Sequence, residues 1–198
     1  MQVLEGGVPK CPLPVFAVGA TVSCGDGTGR RDMYVDFDAP SLIEHANQGW
    51  YELATSFRLF GADREFLLAL PAHLHSARAA SRHRKSVWRR VRLLDDWDVM
   101  GAGCAVSRGM NEHGYPEHLL GSGAGRPEFA MLSLDSTVAV IGTTWQNGIS
   151  SLAVPNPSDT EPVRNTIGWA ATSEWDSRSD RAEALAWLRH HEPSTQEA

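Results

Sequence analysis

The stretch from Glu128 to Pro157 constrains the fold more than any other. It reads Glu128-Phe129-Ala130-Met131-Leu132-Ser133-Leu134, then the polar Asp135-Ser136-Thr137, then Val138-Ala139-Val140-Ile141-Gly142-Thr143. A third run spans Ile149 to Val154 and is closed by Pro155-Asn156-Pro157. Short apolar runs separated by polar turn residues read as neighbouring strands. Asp and Ser at the first break can bond the backbone just beyond them, which suits a tight reversal. The spacing predicts the centre of a sheet here, with a hairpin tip at Trp145-Gln146-Asn147-Gly148.

The rest of the chain is read around that centre. Val15 to Ser23 looks like a strand, Cys24 to Gly29 a Gly-rich turn, and Met33-Tyr34-Val35-Asp36-Phe37 alternates apolar and polar like a half-buried strand. Together they predict an N-terminal β-hairpin. Ser41 with Glu44 three residues on is a capping-box pattern, so a helix is expected from Leu42 to Leu53. Glu65 to Leu70, ended by Pro71, has the continuous apolar character of a buried parallel strand. A helix over 72–88, a strand over Val91–Leu94, a helix over 105–112 and a Gly/Pro-rich connection over 114–126 follow. Asp159 is placed to cap a helix running to Trp175, and a last helix is expected over Asp180–His190. The fold class expected is α/β, with a mixed, mostly parallel central sheet flanked by helices and an N-terminal β-hairpin. One domain accounts for 1–198: a β-rich extension over 1–40, an α/β core over 41–192 and a frayed tail over 193–198.

Composition narrows the class. A chain of 198 residues that is 42% apolar and holds seven Trp can bury a core without staples. A formal charge of −6 argues against general affinity for polyanions. Three cysteines (Cys11, Cys24, Cys104) do not make a disulfide framework, which favours a cytoplasmic setting. No signal peptide is read at the N-terminus, and no apolar run approaches the ~20 residues of a membrane span.

From Glu128 onward the residues resemble the phospholipase-D-like superfamily. Its motif is His-x-Lys, four residues, Asp, six residues, then Gly-Ser or Gly-Thr. Here Asp135 is followed, after six residues, by Gly142-Thr143, while Glu128 and Ala130 stand where the motif has His and Lys. The resemblance is to the degenerate branch that serves as ligand-sensing domains of prokaryotic regulators, with Val154-Pro155-Asn156-Pro157 and the late Trp175 in the corresponding places. It covers roughly 65–175. In that family a His attacks a phosphodiester, a second His protonates the leaving group, and Lys holds the phosphate oxygens. Without His and Lys the resemblance implies a non-catalytic, regulatory domain, dimeric, binding a small molecule or a protein in a pocket lined by Glu128, Asp135, Thr143, Trp145 and Asn156. It implies no cofactor.

Other polar groupings give rival readings. Arg78, Arg82, Lys85 and Arg89 recur at helical spacing, with Arg92 beyond them, so a basic helix over 78–92 would suit nucleic acid. A solvated helix face is the plainer reading. Trp88 at its end fits the core better than a stacking platform. His83-x-Lys85 lacks an Asp at the motif spacing. A metal set from Asp98, Cys104, His113 and His118 has no recognised spacing, and a metal-dependent or phosphodiesterase activity would have to be built on it. Asp95, Asp96 and Asp98 end a strand and read as a solvated turn before a cation site. The exposed Trp residues and N-terminal hairpin would equally suit a subunit of a larger assembly.

Overall fold

The computed structural model describes residues 1–72, 85–101, 120, 127–174 and 178–191. Among them seven strands form one sheet: β1 (Gln2–Val3), β2 (Arg31–Asp36), β3 (Glu65–Pro71), β4 (Ser86–Arg92), β5 (Phe129–Leu132), β6 (Val138–Thr144) and β7 (Gly148–Pro155). Their order across the sheet is β1-β4-β3-β5-β6-β7-β2. Four α-helices accompany them: α1 (Val15–Val18), α2 (Leu42–Ser56), α3 (Glu161–Thr172) and α4 (Arg178–His191).

Every strand pair is antiparallel, which overturns the expectation of a mostly parallel sheet. The physical reason lies in what an apolar run reports. β3 is buried along most of its length because both faces of the sheet are covered, and that burial carries no information about direction. Phe66, Leu68 and Leu70 face α2 with Trp50, Leu53 and Ala54. Leu67 faces the other layer, where Val163, Ile167, Ala170, Ala184 and Trp187 of α3 and α4 pack with Ala17 and Val18 of α1.

The three central strands appear where the apolar runs place them. Phe129↔Gly142 and Leu132↔Ala139 set β5 against β6, and Val138↔Pro155 and Thr144↔Ile149 set β6 against β7. The N-terminal hairpin does not form. Val15–Val18 is a single helical turn followed by a 3-10 turn over Gly19–Ser23, and β2 pairs with β7 instead. A four-residue apolar run fits a helix turn and a strand equally well. Tertiary packing decides, since Ala17 and Val18 are wholly buried against α3.

The remaining shifts are local. α2 starts at Leu42 as its sequence predicts, but Ser41 has φ 54° and makes no side-chain cap bond, so the capping box is not closed. Residues 86–90, expected as helix end and loop, join Val91 and Arg92 of the expected strand over Val91–Leu94 in strand β4, which ends at Arg92, because Phe66↔Val91 and Ala69↔Trp88 pairing places the chain beside β3. The helix expected from Asp159 begins at Glu161 and stops at Thr172, and the last helix covers its expected span with two further residues at its start and one at its end. Residues 73–84, the expected helix over 105–112, nearly all of the connection over 114–126, Trp175 and the tail over 193–198 lie outside the described residues. No helix among the described residues is long and apolar enough to cross a membrane.

Candidate functional site

The five residues proposed to line one pocket fall at opposite ends of the sheet. Asp135 lies in the β5–β6 turn and Asn156 just past β7, and the two ends are tied by the Asn156 N–H donating to the Thr137 carbonyl at 2.6 Å. Glu128, Thr143 and Trp145 sit where β5 begins and β6 ends. The length of β6 from Val138 to Thr144 sets the two ends apart, about 20 Å at ~3.4 Å per residue.

The Asp135 end is occupied by building the chain reversal. Asp135 Oδ1 accepts from Ser133 Oγ at 2.6 Å, Thr137 Oγ1 at 2.8 Å and Thr137 N–H at 3.1 Å. Ser133 Oγ in turn accepts from the Val138 N–H at 2.9 Å. The Ser133 bond holds the Asp135 carboxyl below its ordinary value; burial opposes it, and the Thr137 bonds add to the lowering. Asn156 adopts φ 44°, a left-handed conformation that Asn tolerates, and its carbonyl accepts from the Asp159 N–H at 2.9 Å ahead of α3. Gly142, the glycine of the resemblance, is a packing gap. A Cβ there would stand 2.2 Å from the Phe129 ring on the paired strand.

The other end is open. Tyr34 of β2 pairs with Ser150 of β7, and Ser150 pairs with Thr143 of β6. Glu128 precedes Phe129, the partner of Gly142, and so extends the same row beside Thr143. Alternation along each strand points these side chains to the face that α3 and α4 cover further along, at Ile141, Leu152 and Val154. At the row itself the cover stops. Tyr34 and Trp145 are each 47% exposed, and Glu128 is exposed. The Trp145 indole N–H donates to the buried Ser150 Oγ at 2.7 Å, so one edge of the ring is fixed while much of the side chain meets solvent. Partial desolvation, then a hydrogen bond to Asp36, raise the Tyr34 phenol above its ordinary value. The row is a shelf of two aromatic side chains with hydroxyls between them.

Its charge is uniform. Residues 32–57 and 127–163 contain no Lys or Arg, but hold five and four carboxylates respectively. Asp36, Asp38 and Glu128 are exposed at this end of the sheet. Tyr34, Ser150, Asp36 and Asp38 were not among the residues singled out from sequence. Alternation over Met33–Phe37 marks Tyr34 and Asp36 as outward, and the long cation-free intervals were legible; what was missing was the pairing of β2 with β7 that joins them to Trp145.

The basic residues resolve differently. Arg78 and Arg82 lie outside the described residues. Lys85, Arg89 and Arg92 are not on a helix: Lys85 immediately precedes β4, which holds the other two. Lys85 bonds Ser179 and pairs with Glu183 at 3.2 Å. Arg92 meets the buried Glu65 at 2.8 Å, and Arg90 bonds the same carboxylate through Nε, also at 2.8 Å. These bonds, Arg90 first, hold the Glu65 carboxyl below its ordinary value. Arg89 lines an open groove with Val8, Pro12 and Glu183. Trp88 is a core anchor, buried, its indole N–H donating to the Leu13 carbonyl at 2.6 Å.

The remaining expectations separate cleanly. Asp98 Oδ1 accepts from Asn47 Nδ2 and from the Gly101 N–H, both at 2.7 Å, and Asp95 pairs with Arg64 at 3.0 Å, so the acidic turn is tied down by its own chain. No group of three or more metal-ligating side chains occurs among the described residues. Cys104, His113 and His118 lie outside them. Cys11 and Cys24 are free thiols. Compared with known protein families, characterised proteins and solved structures, the chain matches none.

Proposed function

We propose that this protein works by binding a partner protein through the acidic, aromatic end of its sheet, in a regulatory or assembly role. One observation carries the reading: Tyr34 and Trp145 stand exposed at one end of a sheet whose other aromatic residues, Phe66, Trp88 and Phe129, are buried. Large aromatics with few rotatable bonds supply contact area at low entropic cost, which is why they dominate interface energetics. The hydrogen bond from Trp145 to Ser150 fixes that ring before any partner arrives. Glu128, Asp36 and Asp38 give the rim a single sign of charge, which selects the partner and speeds encounter. Asp135 and Asn156 take no part in this surface. They hold the far end of the sheet.

The test is capture from the cells that make the protein, with wild type and the Tyr34→Ala/Trp145→Ala double variant immobilised side by side. Both side chains are exposed, so the variant should melt within a few degrees of wild type. Interface aromatics of this kind cost about 2 kcal/mol or more each when truncated. Proteins enriched on wild type should therefore fall by more than tenfold on the variant. A capture profile that is the same for both would reject the reading.

A further inference from the structure

The shelf has a backbone side as well as a side-chain side. The Phe37 N–H donates to the Asn147 carbonyl at 2.9 Å, and the Trp145 N–H donates to the Gly148 carbonyl at 2.8 Å. Antiparallel ladders alternate bonded and non-bonded pairs. These two bonds therefore fix the phase. Arg31, Met33 and Val35 bond to β7, and Asp32, Tyr34 and Asp36 turn their backbone groups away from it. β2 is the last strand of the sheet. The Asp36 carbonyl is taken by the Ala39 N–H at 3.1 Å. The N–H and C=O of Asp32 and Tyr34 and the N–H of Asp36 have no backbone partner among the described residues.

Resting on the partner-binding reading, we infer that β2 receives an extended segment of the partner as an eighth strand, and that this segment carries Lys or Arg at the positions opposite Asp32 and Asp36. Main-chain bonds to an exposed edge supply affinity, and alternate side chains supply specificity. On the shelf face the incoming strand meets Asp32, Tyr34 and Asp36, so cation, apolar, cation is the matching pattern. On the opposite face it meets Met33 and Val35, half-buried against α2, and apolar side chains fit. Asp36 and Asp38 make no ion pair among the described residues. Asp32 is paired with Arg30 at the strand's other end and is about half exposed.

The same charges argue against a second copy of this chain. Two β2 strands joined about Tyr34, the register that uses all three outward residues, would set Asp32 opposite Asp36 twice. Like charges directly opposite destabilise a pair.

The probe is a labelled peptide, acetyl-Ser-Lys-Val-Val-Val-Lys-Ser-amide, titrated at low salt by fluorescence anisotropy. Its counterpart has both Lys replaced by Glu. The Lys peptide should bind at least about tenfold tighter, from two surface charge contacts and the loss of repulsion, and binding should weaken with salt. Asp36→Asn should weaken it about threefold to fivefold. Asp36→Pro removes an outward N–H without touching the ladder to β7, and should weaken it at least tenfold. Amide exchange at Asp32, Tyr34 and Asp36 in the wild type should slow on peptide addition, which reads the pairing without relying on any variant. If neither peptide binds, if the Glu peptide binds as well as the Lys peptide, or if those amides stay unprotected, the eighth-strand inference fails. Capture that still depends on Tyr34 and Trp145 would then leave the broader reading standing. Self-association that slows the same amides without peptide would identify a second copy as the occupant and overturn the inference.

Discussion

Gly142 and Phe129 lock together across β5 and β6, and the lock is sensitive to a single methyl. A Cβ at Gly142 would meet three ring atoms of Phe129 within 2.7 Å, so the ring must leave its place or the strands must part. Gly142→Ala should cost about 1–3 kcal/mol by chemical denaturation, the usual range for overpacking a well-filled core. Adding Phe129→Leu should recover part of that loss, because the smaller side chain vacates the contested space. Acid acts at a second pair of positions. Glu65 and Asp135 both titrate below their ordinary values, so each contributes stability that is complete above the unfolded carboxylate range of about 4. That stability is lost as pH falls through the lowered values. Wild type should therefore lose melting temperature on acidification more steeply than Glu65→Gln, and the two curves should converge at the acid end. Parallel curves would mean that Glu65 gains nothing from Arg90 and Arg92.

Elements are held to one another by a few polar ties set among apolar contacts. Asn47 on α2 is one. Its Oδ1 accepts the Val99 and Met100 N–H groups at 2.9 Å each, and its Nδ2 donates to Asp98. The segment over 98–101 is thereby fastened to the helix that covers one face of the sheet. Beside it Trp97 stacks on Tyr51 with centroids 5.0 Å apart and leans on Trp50 at 5.2 Å. Asn47→Ala strands two part-buried N–H groups and should cost about 2 kcal/mol. Amide exchange at Val99 and Met100 should quicken by more than the global loss of stability predicts; equal acceleration across the sheet would show that the tie is not local. Helix boundaries illustrate how much of this is written locally. Pro162 in the first turn of α3 and the basic residues ending α4 stand where helix chemistry wants them. Ser41 and Glu44 mark the start of α2 without making the bonds that their spacing suggests. Trp50, Leu53 and Ala54 bury that helix on the sheet, and this packing settles its start without the cap.

Among the described residues charge is unevenly divided across the sheet. β4, next to the short edge strand β1, carries Arg89, Arg90 and Arg92, the last two sharing the single buried carboxylate of Glu65, while β2 beyond Arg31 and the strand ends beside its far end carry carboxylates alone. That division follows from strand order, which brings residues 31–36 beside 148–155 across more than a hundred residues of chain. Alternation, apolar runs and turn chemistry are local properties, so the amino-acid order was enough to place the three central strands, the Asp135 reversal, the last two helices and the outward side of Met33–Phe37. Strand direction, the neighbours of β2 and the residues that meet at the open shelf are long-range properties. Burial on both faces makes a parallel and an antiparallel strand read alike, and Val15–Val18 has no preference until α3 supplies a surface to bury it on. Packing alone could bring Tyr34 and Trp145 to the same end of the sheet and leave Asp135 at the other.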